Sequence, residues 1–462
     1  MKRIENLPHA VRPGSALVLS LIFVVMFSAL AAAMAAVSSS NVQIAENHRK
    51  LDNTRASAES GMEVMRYWMS KVEMSGLTEN DQRFTELATS LGNLLSAADV
   101  NNMTLACSSS SITIPNVPLN SDRGQSFSAV LTKIDANSIQ LDVTGHYGSL
   151  QRNIQSSYQY FERADSVFDY GVATKGPLSL SGNIEIEGVN IDVESNAYID
   201  CEPLLALSII GNSMIAGDVK IVNPLADVHL QGGHAGVGGE SGTAAMDHIE
   251  LGAPPASFPE MDPSQFTGYA TNVLCPTADL SQNATYENLR IPQGRNPHFS
   301  GQTTLRGVIF VEAPNVVTFS GNVDVTAIIV TNGDDTDNSG TNQLTFTGNI
   351  TGHPISQLPE QPQFADIRNK TGTFIMAPGF RLGFGGNFST LSGAIAGNGI
   401  ELWGNAGGVV NGSIINYSNT AMTLTGNSDL QFNRSGLTEI PTGFVPTVIL
   451  RYDPSSYCEP SL

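Results

Sequence analysis

The sequence predicts a mainly β protein: a long N-terminal transmembrane α-helix with a small α+β head, then a right-handed parallel β-helix (β-solenoid). Three observations carry that reading. Residues 15–37, SALVLSLIFVVMFSALAAAMAAV, contain no charged side chain. Forty-four glycines and 41% hydrophobic residues among 462, with only 14% charged, describe a folded, turn-rich chain. One short pattern, apolar–x–apolar–x–Gly–Asn, is written seven times after residue 177.

The charge balance narrows the function. Lys and Arg number 23 against 43 Asp and Glu, a net charge of −20. A chain so acidic is a poor ligand for a phosphate backbone, so nucleic acid is excluded as a main partner. A coiled coil is excluded as the main architecture, because such chains are rich in Lys and Glu. Four cysteines in this length do not make a disulfide scaffold.

The N-terminal segment predicts a membrane helix. Residues 1–14 carry Lys2, Arg3 and Arg12 against Glu5, and such a leader stays in the cytoplasm. The 23 uncharged residues exceed the roughly 20 needed to cross a bilayer and the about 7–15 of a signal-peptide core. No charge follows Arg12 until Glu46, and no Pro or Gly lies between Ser15 and Gly61. Ala56, Ala58, Met62, Met65, Met69 and Val72, with Trp68 alongside, continue an apolar helical stripe. A single helix from Ser15 to Val72 would be about 85 Å long.

The next segments predict a small head. Residues 79–98 place Phe84, Leu87, Leu91 and Leu95 at helical spacing. The alternating runs FSAVLTKI, SIQLDVTGHY and LQRNIQSSYQYF follow, the first two joined by a hairpin loop at Asp135-Ala136-Asn137.

A basic leader ending in Gly14, then an apolar helix with an amphipathic second half, resembles the prepilin signal of type IV pilins. Residues 47–65, NHRKLDNTRASAESGMEVM, are similar to the A-x-A-E-x-G-x-E segment of PilX-type minor pilins and to the K-type minor pseudopilins of type II secretion. The resemblance covers about 60 residues. It implies cleavage after Gly14, a mature N-terminus at Ser15, a pilin-like head over residues 38–162, and other pilin-like subunits as partners. Two positions depart from the family's pattern: Ser15 stands where major pilins have Phe, and Leu19 where they have Glu. Loss of that Glu resembles the K-type tip subunit, and a charge in hydrocarbon is costly unless paired. The alternative is a plain signal anchor, left uncut.

The seven copies of the repeat are LSLSGN, LSIIGN, VTFSGN, LTFTGN, LGFGGN, IELWGN and MTLTGN, ending at Asn183, Asn212, Asn322, Asn349, Asn387, Asn405 and Asn427. The last four gaps are 27, 38, 18 and 22 residues. Each copy reads as a short strand ended by residues that tolerate a left-handed turn. Second strands lie between the copies: VTAIIVT, TFIMAP, LSGAIA and NGSIINY. Two or three short strands per turn, repeating near 20 residues, predict a solenoid. Phe319, Phe346, Phe384, Leu402 and Leu424 are its expected inward ladder, and the Asn residues its expected corner stack.

The expected coils occupy 163–230 and 305–450, with an insertion at 231–304 and a tail at 451–462. The block from LRIPQGRNPHFSG (289–301) onward also resembles uncharacterised solenoid proteins of bacterial membranes, and that resemblance implies no activity.

Chemistry is sparse. Parallel β-helices that cleave polysaccharides need clustered carboxylates and a basic residue on one groove. Residues 164–462 hold only ten Lys and Arg, none repeating at coil spacing beside an acidic pair, so no catalytic residue is expected. Asp334, Asp335, Asp337 and Ser339 form the densest acidic patch and match half an EF-hand loop, but Phe346 stands where the closing Glu belongs. Ca²⁺ and a solvated acidic turn are both open there; no other cofactor is expected. Cys107, Cys201, Cys275 and Cys458 would lie in an oxidising compartment, with one or two disulfides in any of three pairings. The eight histidines form no metal set, and Walker A, G-x-S-x-G and HExxH motifs are absent.

The resulting expectation is a pilin-like structural or adhesive surface protein, a minor or tip subunit of a type IV-related filament, with a glycan or surface ligand. It would sit in the bacterial inner membrane with its bulk periplasmic or extracellular. The alternative is an uncut, membrane-anchored β-helix that binds or degrades polysaccharide.

Overall fold

The computed structural model describes residues 14–97, 105–434 and 440–460. Of the expected leader, residues 1–13 lie outside the described residues. The rest is mainly β with one long apolar helix at its N-terminal end. The chain divides into two compact units, Met1–Met74 with Thr78–Phe161 and Ile449–Leu462, and Ser75–Leu77 with Glu162–Val448.

In the first unit the long helix runs Gly14–Met69, about 84 Å at 1.5 Å per residue. Met62, Met65 and Met69 are buried as their spacing predicts, and Val72 is buried just beyond the helix end. Ala56 is exposed, and its expected place is taken by Thr54 and Ser57, buried with Ala58. Their hydroxyls return to Lys50 O at 2.7 Å and Asn53 O at 2.9 Å, so neither is left unpaired.

Two glycines bring this helix onto the sheet. A Cβ on Gly61 would stand 2.5 Å from the Phe127 ring, and one on Gly145 would stand 2.2 Å from Ala58 N. The short helix Arg83–Ala97 buries Phe84, Leu87, Leu91 and Leu95. Strands Gln125–Lys133 and Ser138–Tyr147 form the expected hairpin, where Asp135 Oδ1 accepts the Asn137 N–H at 2.7 Å.

The sheet has seven described strands, and one of them corrects the expected C-terminal tail. Thr447–Cys458 is a strand lying between Glu73–Ser75 and Leu150–Arg163. Glu459 holds its end by ion pairs to Arg55 and Arg152. Only TVILRY alternates in the sequence, and the polar DPSS after it hides the strand.

The second unit contains two stacked, largely parallel sheets, of 14 and 13 described strands. The chain alternates between them, and many strands pair parallel with one laid a circuit earlier. Thr303–Val311 matches Val323–Thr331 over nine residues. The side chains between the sheets form one core cluster running through every circuit.

The expected ladder is present and longer than expected. Phe299, Phe319, Phe346 and Phe384 stack at 4.7, 5.0 and 5.6 Å between centroids, with interplanar angles of 11°, 7° and 12°. Strand register continues the ladder through Leu402, Leu424, Leu180 and Ile209.

Stacking order differs from chain order. The first strand of the larger sheet, Leu178–Gly188, lies in the interior and pairs over eleven residues with the last, Met422–Phe432. From Leu178 the chain works outward to one edge, then resumes at the opposite edge with His298–Phe299 and fills back. Residues 231–304, expected as an insertion, therefore carry edge strands of both sheets, including Ile249–Leu251 and Asn272–Val273.

Residues 252–271 join these two strands, which lie ten steps apart in one sheet, roughly 48 Å at ~4.8 Å per strand. Twenty fully extended residues would reach at most about 66–72 Å, and the helical turn Ser264–Thr267 shortens that reach, so the crossing has limited slack. It is tied down on the way. Ala256 N–H donates to Tyr198 Oη at 2.6 Å, the Tyr417 hydroxyl to Pro259 O at 2.6 Å, and Asp262 N–H to Gly443 O at 2.7 Å. Met261, Phe266 and Ala270 join Phe364 and Ile367 in covering the outer face of the 13-stranded sheet.

Phe346→Ala should cost about 3–5 kcal/mol, since it opens a void between two stacked rings. Phe346→Asp should abolish the fold by leaving an unpaired carboxylate there. Chemical denaturation of the detergent-solubilised chain is the check. An Ala variant that unfolds at the wild-type midpoint would place Phe346 outside the core.

Candidate functional site

Gly14 and Ser15 lie at the start of the long helix. Every residue from Ala16 to Arg49 is exposed. By length and composition this helix can cross a membrane, and its apolar window is wholly unburied. That exposed stretch is about 51 Å long, beyond the ~30 Å of a hydrocarbon core. The same helix thus has an uncovered apolar half and a half that packs on protein.

The acidic loop is organised as turns. Asp334 Oδ1 accepts from the Thr336 N–H at 2.9 Å and its hydroxyl at 2.7 Å, and Asp337 Oδ1 from the Ser339 N–H at 2.8 Å. Hydrogen bonding by the side chains and then the N–H groups of Thr336 and Ser339 holds both carboxyls below their ordinary range. Asp335 contributes its carbonyl to Asn398. Among the described residues no group of three or more His, Cys, Asp or Glu is placed to hold a metal ion.

All four cysteines are free thiols, and strand order excludes one of the three expected pairings. Cys107 and Cys458 lie on strands five steps apart in the seven-stranded sheet, roughly 24 Å, against the less than 7 Å a disulfide spans. Cys201 and Cys275 follow strands eight steps apart. Burial pushes the Cys201 thiol up to about 11. Hydrogen bonding by Thr277 draws the exposed Cys275 thiol down.

The repeat asparagines sit at one corner of the stack, and three form a side-chain chain. Asn212 Nδ2 donates to Asn183 Oδ1 at 3.0 Å, and Asn183 Nδ2 to Asn427 Oδ1 at 2.9 Å. Asn349 N–H donates to Asn322 Oδ1 at 3.3 Å. Among the described residues, Asn387 and Asn405 enter no such side-chain bond. None of the seven asparagines has positive φ; the left-handed backbone expected at these turns falls on the preceding glycine in four copies, Gly182, Gly211, Gly404 and Gly426. Their glycines answer a closer constraint: a Cβ on Gly348 would stand 2.1 Å from Gly321 O, and one on Gly321 would stand 2.2 Å from Gly301 O.

A second, buried Asn corner escaped the sequence reading. Asn315 N–H donates to Asn342 Oδ1 at 3.0 Å, Gly379 N–H to Asn398 Oδ1 at 2.9 Å, and Gly399 N–H to Asn416 Oδ1 at 2.9 Å. No fixed neighbour accompanies these residues in the sequence, so only the coil spacing of 17–27 residues marks them.

A carboxyl cluster was missed as well. Asp429 lies directly opposite Glu185, and Glu187 follows on the same outward face. The hydrogen bond from Glu185, followed by burial and the charges of Glu185 and Asp429, raises Glu187 to about 7. Glu185 and Asp429 are 244 positions apart and meet only because the last strand closes against the first.

A crevice of about 200 Å³ opens among Phe168, Ile355, Gly372, Ser392 and Asn411. Ser392 Oγ and Asn411 Oδ1 are buried there with no hydrogen-bond partner among the described residues. The volume falls short of the ~300–1,000 Å³ of small-molecule pockets.

No protein-family model matches the chain, and no curated protein matches it. Among solved structures it is similar to the competence-associated pilin ComZ from Thermus thermophilus, at 11% identity, over 89% of this chain and 98% of that one, with a TM-score of 0.21. A score that low bears on neither fold nor function.

Two measurements follow from these groups. Glu187 has a folded pKa near 7 against an ordinary 4.5, so folding stability falls as pH rises through that interval. Glu187→Gln removes the decline: its melting temperature should exceed wild type by a margin that widens from pH 4.5 to 7 and then stays constant. A margin independent of pH would separate Glu187 from its acidic neighbours. Thiol titration should find Cys107, Cys275 and Cys458 reactive in the folded chain, and Cys201 reactive only after unfolding.

Proposed function

We propose that the chain is a membrane-anchored, pilin-like surface protein, a minor or tip subunit of a type IV pilus- or type II secretion-like filament, displaying a right-handed parallel β-helix. The observation carrying this reading is the division of labour within one unbroken helix. Its first half is apolar and exposed, and its second half lies on an antiparallel sheet through the Gly61 and Gly145 contacts. Hydrocarbon is the environment in which such an exposed apolar half is stable, and a neighbouring subunit's helix is the other. Two parallel sheets with the chain alternating between them, ring-on-ring ladders and Asn corners support the β-helix. The reading places the basic leader in the cytoplasm and the β-helix outside, gives the outer part a structural or adhesive task, and assigns it no hydrolase or lyase activity.

A second reading, an uncut anchor whose β-helix binds or degrades polysaccharide, is favoured by Glu187. A carboxyl near pKa 7 beside two others is suited to general acid catalysis. Product assays for new reducing ends and unsaturated termini on a glycan panel separate the two; turnover abolished by Glu187→Gln would move the protein into the enzyme class.

Processing is the direct test of the first reading. Mass analysis of the membrane-extracted protein should show Ser15 as the mature N-terminus, and Gly14→Arg should retain the full leader. Wild type carrying the intact leader would reduce the protein to a simple anchor.

A further inference from the structure

The outer face of the 14-stranded sheet carries two columns of small hydroxyl side chains. In register down the stack they are Thr318 and Ser320, Thr345 and Thr347, then beyond two intervening circuits Thr423 and Thr425, and Ser179 and Ser181. The outward positions 318, 345, 423 and 179 are partly exposed, and Ser320, Thr347 and Thr425 are exposed. Among the described residues, no protein group hydrogen-bonds the hydroxyls of Thr345, Thr347, Thr423 or Thr425. The opposite outer face, by contrast, is covered by residues 252–271 and their neighbours.

The two circuits between the hydroxyl pairs hold an aromatic plate. Gly383 and Gly385 occupy the outward positions of one, Glu401 and Trp403 those of the next. A Cβ on Gly383 would stand 2.8 Å from Trp403 Cη2, and one on Gly385 would stand 2.6 Å from Trp403 Nε1. The indole therefore lies along the neighbouring strand, in a berth that any side chain at either glycine would fill, and remains partly exposed. Arg381 donates to Glu401 beside it, so the charges flanking the plate cancel.

The geometry points to a binding site for a neutral polysaccharide on this face, with the Trp403 indole as stacking platform and Thr345, Thr347, Thr423 and Thr425 as hydrogen-bonding partners. Stacking on an aromatic face uses the apolar C–H side of a pyranose, and hydroxyls that both donate and accept match its rim. The columns advance by one strand spacing, ~4.8 Å, close to the length of one sugar unit, so a chain laid along the stack meets hydroxyl pairs on successive circuits to either side of the Trp403 plate. A neutral chain is selected because the protein carries −20 and the site adds no net positive charge. The inference deepens the adhesive part of the proposed function and is independent of leader processing.

Only two tryptophans are present, so Trp68→Phe makes Trp403 the sole indole reporter in the full chain. Cellohexaose, chitohexaose and maltohexaose are the neutral probes, and oligogalacturonate the anionic one. At least one neutral probe should shift Trp403 fluorescence saturably. Calorimetry should then show binding roughly tenfold weaker in Trp403→Ala, and several-fold weaker in Thr423→Val, which keeps side-chain shape if the indole variant destabilises the sheet. No fluorescence response to any neutral probe from a protein with wild-type melting overturns the site. So does a response to oligogalacturonate alone, or equal affinity in both variants. Leader cleavage is scored in the same preparations, so loss of the glycan site and loss of the filament reading are read separately.

Discussion

The second unit depends on how closely parallel backbones approach where the chain turns a corner. Neighbouring strands lie ~4.8 Å apart, and at the repeated Gly–Asn corner the carbonyl of one circuit occupies the place a Cβ of the next would need. The distances are 2.1 Å at Gly348, 2.2 Å at Gly321 and 2.3 Å at Gly386, none compatible with a side chain. At Gly182 and Gly426 the same clash is joined by positive φ, so two constraints select the same residue. Once the corner is locked, the residue two positions before each glycine stands above its counterpart. Register, the phenylalanine stack and the outward hydroxyl columns all follow from that.

A related constraint acts in the first unit. Glycine at 61 and at 145 removes the side chains that would hold helix and sheet apart, and Phe127 fills the space left at Gly61. The A-S-A-E-S-G-M-E segment is thus a packing surface as well as a family resemblance: Ser57, Ala58, Gly61 and Met62 face the sheet, while Glu59 and Glu63 stay exposed and pair with Arg55 and Arg66. Holding the second half of the helix this firmly leaves its first half free to be solvated by lipid or by other helices.

What was legible in the sequence was whatever is local. The helix, the Asp135–Asn137 hairpin, the four buried residues of the short helix and the inward ladder all lie in runs of a few residues whose period announces them. What was illegible depends on contacts between remote segments. Nothing near Leu178 indicates that its partner is Met422, because a repeat unit specifies the shape of a circuit but not its neighbour in the stack. The carboxyl cluster inherited that blindness, as did the final strand, whose partners lie some 300 residues upstream. The buried Asn corner was missed for a different reason: Asn is read as a turn residue, and its role as a buried carbonyl-bearing cap appears only with the neighbouring circuit in place.

The starting strand's interior position has a consequence for where function can reside. A stack begun at one end carries nothing that limits the number of its circuits. Here the chain starts inside, builds to one edge, crosses about 48 Å of sheet and fills back to its own first strand, so the number of circuits is closed by the crossing segment. That segment consumes the outer face of one sheet, burying Met261, Phe266 and Ala270 on it. The outer face of the larger sheet is left unroofed, and it is there that the side chains unexplained by packing are found: the hydroxyl columns, the Trp403 plate and the Glu185–Glu187–Asp429 cluster. Covering one face to measure out the stack leaves the other as the surface the molecule presents.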